Sequence, residues 1–228
     1  MRAAPRWVLL ALLLEVAAWA LGAGNRTETF AFFRVQGALG AGGFVLAAIA
    51  GVAAMLARPR AGYGALALGA LALHLPFLDV PQGQPDTIAW FTLAQTVARD
   101  PSALLDWPAA AWGTEEARFH RPLPLVPAVY GLAYAILGES PATTDLVLAA
   151  WAVALPLAVA WAGAENGRPA VLAGAVAATV PLLAAQEGWL LADVPLVVLV
   201  TLAWGALVRR RPGLFAVLAA GALATKVS

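Results

Sequence analysis

TTDLVLAAWAVALPLAVAWA, residues 143–162, is the stretch whose reading decides the fold. Past Asp145 it carries no charge to its end, and its apolar residues occupy every face instead of alternating with period two. Strict alternation marks a half-buried strand; a continuous apolar run of this length marks a buried or membrane helix. At ~1.5 Å per residue such a helix spans ~30 Å, the thickness of the hydrocarbon layer of a bilayer. Working outward, similar runs occupy about 7–23, 36–57, 62–78, 170–186, 194–208 and 213–225. Of the 228 residues, 62% are hydrophobic and 12% charged. A soluble domain carries about 25% charged residues, so this chain has too few to cover one core with a polar shell. Lipid offers no hydrogen bonds to a backbone, and only helices and closed barrels satisfy their own. The expected fold is therefore all-α: a polytopic transmembrane helix bundle of about seven spans.

Charge position orients the bundle. With the N-terminus in the cytoplasm, the inner segments hold Arg2, Arg6, Arg58, Arg60, Arg168 and Arg209, Arg210 and Arg211, with Glu165 as their one acid. The outer segments collect Glu28, Asp79, Asp86, Asp100, Asp106, Glu115, Glu116, Glu139, Asp145, Glu187 and Asp193. This is the positive-inside pattern. It requires the apolar stretch 122–138 not to cross, since a further crossing would move the three arginines outside. Pro122, Pro124 and Pro127 crowd its start and shorten its regular helix. It is expected to lie in the interfacial plane, and 87–98 likewise, with Ile88, Phe91, Ala94 and Gln95 at helical spacing and Trp90 at headgroup level. The external segment, about 79–142, then holds two juxtamembrane interfacial helices joined by a loop over 99–121.

A net charge of +1 gives no sign of a nucleic-acid partner, and the absence of cysteine removes disulfides, thiolate nucleophiles and Cys-ligated metals. Abundant alanine, and a single lysine (Lys226) against many arginines, suit a GC-rich bacterial genome. The expected location is the bacterial inner (plasma) membrane, multi-pass. The N-terminal run after Arg6 could pass for a secretory signal, but a polytopic protein rarely needs one cleaved. Glu15 lies inside the first span, where a charge is costly and expected to face the bundle. Gly37–Gly43 is a glycine-rich cluster suited to close helix contact, and Asn25-Arg26-Thr27 fits a glycosylation acceptor that is irrelevant in most bacteria.

Four groups in the outer segments carry candidate chemistry. DVPQGQPD, residues 79–86, turns into a helix at Asp86. An acid there is either a plain partner of free N–H groups and the helix dipole or a general base whose pKa partial desolvation raises. Arg118-Phe119-His120-Arg121-Pro122 either binds lipid headgroups or clamps a phosphate, to which the arginine fork is matched; His120 could add a hydrogen bond or a metal ligand. Asp193, in WLLADVP, is a boundary residue or a polar group at the mouth of a helix, with Pro195 suited to a first turn. Thr225-Lys226 closes the last run on the same face, where a lysine commonly snorkels.

In this order the four groups resemble the GT-C superfamily of membrane glycosyltransferases, nearest to the protein O-mannosyltransferase and aminoarabinose transferase branch. The resemblance covers about 62–228 and leaves 1–61, with two N-terminal transmembrane helices, outside it. QPD, ending in Asp86, stands for the acidic pair that opens the family's first external loop, with Thr87 in place of the second acid. HRPLPLVPAVYGLAYAILGES, 120–140, resembles the second juxtamembrane helix, with Arg121 at its basic position. ADVPL with Asp193 and the closing Thr225-Lys226 resemble the two later motifs. The family continues past this point with further spans, so the chain is expected to be either its N-terminal part or a degenerate short form.

The resemblance implies inverting transfer of a sugar from a polyprenyl-phosphate donor to a glycan, lipid or protein acceptor at the extracytoplasmic face. Asp86 is then the catalytic base, with Arg121 and Lys226 on the phosphate and His120 and Asp193 assisting. No cofactor is assigned, and a divalent metal stays open. The rivals are a transporter or flippase of a lipid-linked or anionic substrate, which would want polar groups near the midplane, and a non-catalytic membrane subunit.

Overall fold

The structure is a computed structural model that describes residues 59–74, 85–107, 123–163, 168–179 and 192–225. Every regular element among them is helical: α1 (Pro59–His74), α2 (Pro85–Arg99), a 3-10 turn (Pro101–Leu104), α3 (Leu125–Leu137), α4 (Pro141–Ala162), α5 (Arg168–Thr179), α6 (Asp193–Val208) and α7 (Pro212–Leu223). The all-α expectation holds, and the described parts of the expected runs from residue 59 onward are helical, while 75–78 and 180–186 lie outside the described residues. Runs 7–23 and 36–57, with Glu15 and the glycine cluster, lie outside the described residues. Of the described helices, α4 is long and apolar enough to cross a membrane; α3, α6 and α7 are apolar but shorter. The chain divides into two compact units, Met1–Asp79 with Trp151–Gly188 and Val80–Ala150 with Trp189–Ser228.

In the first unit small residues let helices approach closely. Leu66 of α1, Ala160 of α4, and Val171 and Ala175 of α5 form one buried cluster, and Ala70 and Ala178 another with Val153 beside it. Gly174 is the closest approach: a methyl added there would stand 2.5 Å from the carbonyl oxygen of Pro156 and 2.7 Å from Leu66. Pro156, inside α4, supplies no N–H to its own helix. The carbonyl of Ala160, among the last of α4 and without a partner in its own helix, accepts from the Tyr63 hydroxyl at 3.3 Å.

In the second unit α2 and α3 cross at Gly131, where an added methyl would meet Val97 at 2.7 Å and the Ala94 carbonyl oxygen at 2.8 Å. Val126, Pro127, Tyr130, Gly131 and Tyr134 form the buried stripe of α3, at the spacing of one helix face. Of the expected stripe Ile88, Phe91, Ala94 and Gln95, Ala94 is buried, Phe91 and Gln95 are half-buried and the Ile88 side chain lies outside the described residues; the buried face, Leu93, Ala94 and Val97, is turned toward Leu93 and Val97. The cause is the 3-10 turn within the expected loop 99–121, which brings Trp107 and Leu104 against Leu93 and Val97. Asp100 caps that turn, its Oδ1 accepting from the Ser102 N–H at 3.0 Å.

Hydroxyl groups lock the elbow from α3 into α4. Gly138, at φ 90°, takes a conformation open to glycine. Ser140 caps α4 by accepting the Thr143 N–H at 3.1 Å, as an N-cap serine does for a third-position N–H. Thr143 donates to the Gly138 carbonyl at 2.7 Å, and the Tyr134 and Thr144 hydroxyls meet at 2.7 Å.

α6 and α7 form a hairpin on a three-arginine turn. Arg210 is left-handed at φ 52°; its N–H bonds the Leu207 carbonyl at 2.9 Å, and the Arg211 N–H bonds that of Ala206 at 2.9 Å. These two bonds make a Schellman turn with arginine where glycine is usual. Pro212 then starts α7 at its first position.

Candidate functional site

All five expected site residues, Asp86, His120, Arg121, Asp193 and Lys226, belong to the second unit. One corner of that unit is built from helix ends. α7 finishes at Leu223, with Ala224 and Thr225 as its closing turn. Thr225 is completely buried, and its hydroxyl donates to the Gly221 carbonyl at 2.8 Å. The Ala224 carbonyl, left over by its own helix, accepts from the N–H of Leu125, the first residue of α3, at 3.1 Å. A donor-rich helix start thereby meets an acceptor-rich helix end, and each satisfies an orphan group of the other. Leu125 also reaches the same place with its side chain, its Cδ2 lying 4.0 Å from the position of a methyl on Gly221, beside Leu199 of α6.

This contact joins parts of the chain 99 residues apart. Lys226 follows Thr225 directly, and Arg121 lies four residues before Leu125. The bond joins the start of α3 to the close of α7. His120, Arg121 and Lys226 themselves lie outside the described residues.

Asp193 stands in the first turn of α6, half-buried, where an acid complements the N–H groups at the helix start. Since α6 and α7 are joined by a tight turn and Gly221 packs beside Leu199, the start of α6 and the end of α7 occupy the same end of the hairpin. Asp86 is the second residue of α2, after Pro85; its side chain is outside the described residues. The described contacts of α2 reach the middle and far end of α3, through Gly131, Tyr134 and Glu139. Among the described residues no three His, Cys, Asp or Glu side chains gather as a metal site.

Sequence reasoning missed two features. One is the Tyr134–Thr144 pair, which ties α2 indirectly to α4, because Phe91 of α2 packs edge-on against the Tyr134 ring at 5.8 Å. Burial pushes the Tyr134 phenol up, opposed by its bond to Thr144. The other is Glu139, which takes a hydrogen bond from Gln95 and lies 4.0 Å from Arg99. No short-range pattern marks either, since both depend on where the turn at Gly138 sends the chain.

Comparison with known proteins returns no matching family model, no matching curated protein and no matching solved structure.

Proposed function

We propose that this chain is a polytopic membrane protein of about seven spans, and within that class a glycosyltransferase that moves a sugar from a polyprenyl-phosphate donor to an acceptor at the extracytoplasmic face. Membrane insertion is supported by α4, long enough to cross, and by the α6–α7 hairpin, which exposes Val197, Val200, Trp204, Leu207, Val208, Leu214 and Val217. Apolar patches of that extent on a monomer mark a membrane or partner surface. The arginine turn at one end of the hairpin and Asp193 at the other suit the positive-inside orientation.

The observation that carries the catalytic reading is the Leu125–Ala224 hydrogen bond. It joins Leu125, four residues after Arg121, to Ala224, two residues before Lys226, and on this reading those two cations serve one phosphate. In that reaction Asp86 takes the proton of an acceptor hydroxyl, and the freed oxygen attacks the anomeric carbon. The carbon–oxygen bond to phosphate breaks and polyprenyl phosphate leaves as an anion, with inversion at the sugar. Arg121 and Lys226 stabilise the charge that develops on the leaving phosphate, and His120 and Asp193 assist at the same face.

The test uses the full-length protein in proteoliposomes with radiolabelled polyprenyl-phosphate sugars. Asp86→Asn is expected to abolish transfer at an unchanged membrane level. Turnover by that variant equal to the wild type would overturn the base assignment. Movement of labelled lipid between leaflets without any transfer would instead identify a flippase.

A further inference from the structure

The two helices at the outer face differ in what they present to their surroundings. α3, LVPAVYGLAYAIL, contains no charged side chain. Its buried stripe is spent on α2, and the opposite stripe leaves Leu132 61%, Ile136 70% and Leu137 58% exposed. α2 does the reverse. Among its described side chains Leu93, Ala94 and Val97 are buried, Trp90, Phe91, Gln95, Thr96 and Ala98 are half-exposed, and the two turned outward, Thr92 and Arg99, are polar. Gln95 and Arg99 both engage Glu139, at the end of α3, so the charges of the pair gather on the α2 side.

We infer that α3 is the member of this pair that touches lipid, seated on Leu132, Ile136 and Leu137 in the boundary of the bilayer, with α2 riding on it and facing water. The inference rests on the membrane reading of the chain and not on the transfer chemistry. Three observations commit the apolar face to lipid. At 13 residues, α3 is ~20 Å long, too short to cross. Its C-terminal end passes through a locked hydroxyl elbow straight into α4, the described helix with the length of a span, so its depth is tied to the point where that span leaves the membrane. Its N-terminal end is hydrogen-bonded to the close of the α6–α7 hairpin, whose exposed surface is equally apolar. A charge-free helix held at both ends by apolar helices, with one apolar stripe left open, has the form of an interfacial helix. The polar outer face of α2 does not, so Trp90 is not needed as a headgroup anchor and Asp86 lies on the water-facing helix.

The chain has no cysteine, so single cysteines report cleanly. Leu132→Cys and Ile136→Cys on α3, Thr92→Cys and Arg99→Cys on α2, and Val200→Cys on α6 would each carry an environment-sensitive fluorophore. The full chain would be reconstituted into phosphatidylcholine–phosphatidylglycerol vesicles. Labels at 132 and 136 are expected to be quenched severalfold more by nitroxide-bearing lipid than by aqueous iodide, and labels at 92 and 99 the reverse. Quenching of 132 and 136 chiefly by iodide would overturn the inference. So would protection from both quenchers, which would place a second copy or another protein on this face. The label at 200 separates the two levels: if it too fails to see lipid, the membrane reading falls with the inference, and if it sees lipid while 132 and 136 do not, the inference alone falls.

Discussion

The α2–α3 pair and the α6–α7 hairpin are each two helices in close contact, with opposite use of apolar surface. In the hairpin α7 buries Ala222 alone, and although α6 buries a set from Val194 to Ala206, large apolar side chains of both helices point outward. In the α2–α3 pair the apolar residues are divided: one helix buries them, and the other shows a single stripe. A helix that is apolar all round requires an apolar solvent, whereas an amphipathic one requires a boundary. On the proposed membrane reading, that difference in exposed surface, more than the contact between partners, assigns the hairpin to the lipid interior and the pair to its boundary. The means of attachment differ too. The pair is fixed by a glycine crossing and a chain of hydroxyl bonds, and the hairpin by its turn.

The sharpest way to break this comparison is a charge at the centre of the hairpin. Val200→Arg, midway along α6 and 52% exposed, is expected to cost about 2.5–3.5 kcal/mol of insertion free energy, whereas Thr92→Arg on the exposed face of α2 costs little. A membrane-insertion assay on both variants checks it, and equal insertion would remove the distinction. Next is the crossing itself. Gly131→Ala places a methyl against Val97 and the Ala94 backbone and is expected to lose about 1–3 kcal/mol of stability. Gly64→Ala in α1, with nothing within 4 Å of the added methyl, should be neutral or gain up to about 1 kcal/mol. Thermal unfolding in detergent separates the two.

Smaller effects sharpen the elbow and the turn. Tyr134→Phe removes the bond to Thr144 and is expected to cost about 1 kcal/mol. Burial also raises the phenols of Tyr130 and Tyr134 above their ordinary value of 10.0. The folded state therefore favours the neutral ring, and the unfolded chain ionises first. That contribution is complete below about pH 10 and is lost as pH rises from there toward the raised folded values. Denaturant titrations at pH 9 and pH 11 should show the loss, and Tyr130→Phe should make it shallower. Last, Arg210→Gly relieves the left-handed backbone of the hairpin turn and should stabilise it by about 0.5 kcal/mol; Arg210→Val should do the opposite in the same melts.

Helix class and helix boundaries were legible because their signals are local. The apolar run ending at Trp161-Ala162, the prolines before Leu125 and the Pro212 after the arginine turn each act within a turn or two of the backbone. The α2 face was only partly legible, since its burial is set by Trp107 and Leu104 arriving from the 3-10 turn, and no period within α2 encodes their position. Of the candidate site, residue types and order could be read from the chain. The meeting of the α3 start with the α7 close could not, because the bond between Leu125 and Ala224 is made by two helix ends whose positions follow from every packing contact between them.

By itself, then, the sequence determined an all-α fold, poorer in charge than an ordinary soluble domain, with most of its acids in the segments at one end of its runs. These are properties of composition and short-range period, settled residue by residue. The tertiary structure alone decided that the close of α7 caps the start of α3, and that α2 and α3 divide polar from apolar surface between them. Both depend on helices meeting at particular angles and depths, and that geometry exists only once the side chains of distant segments are packed together.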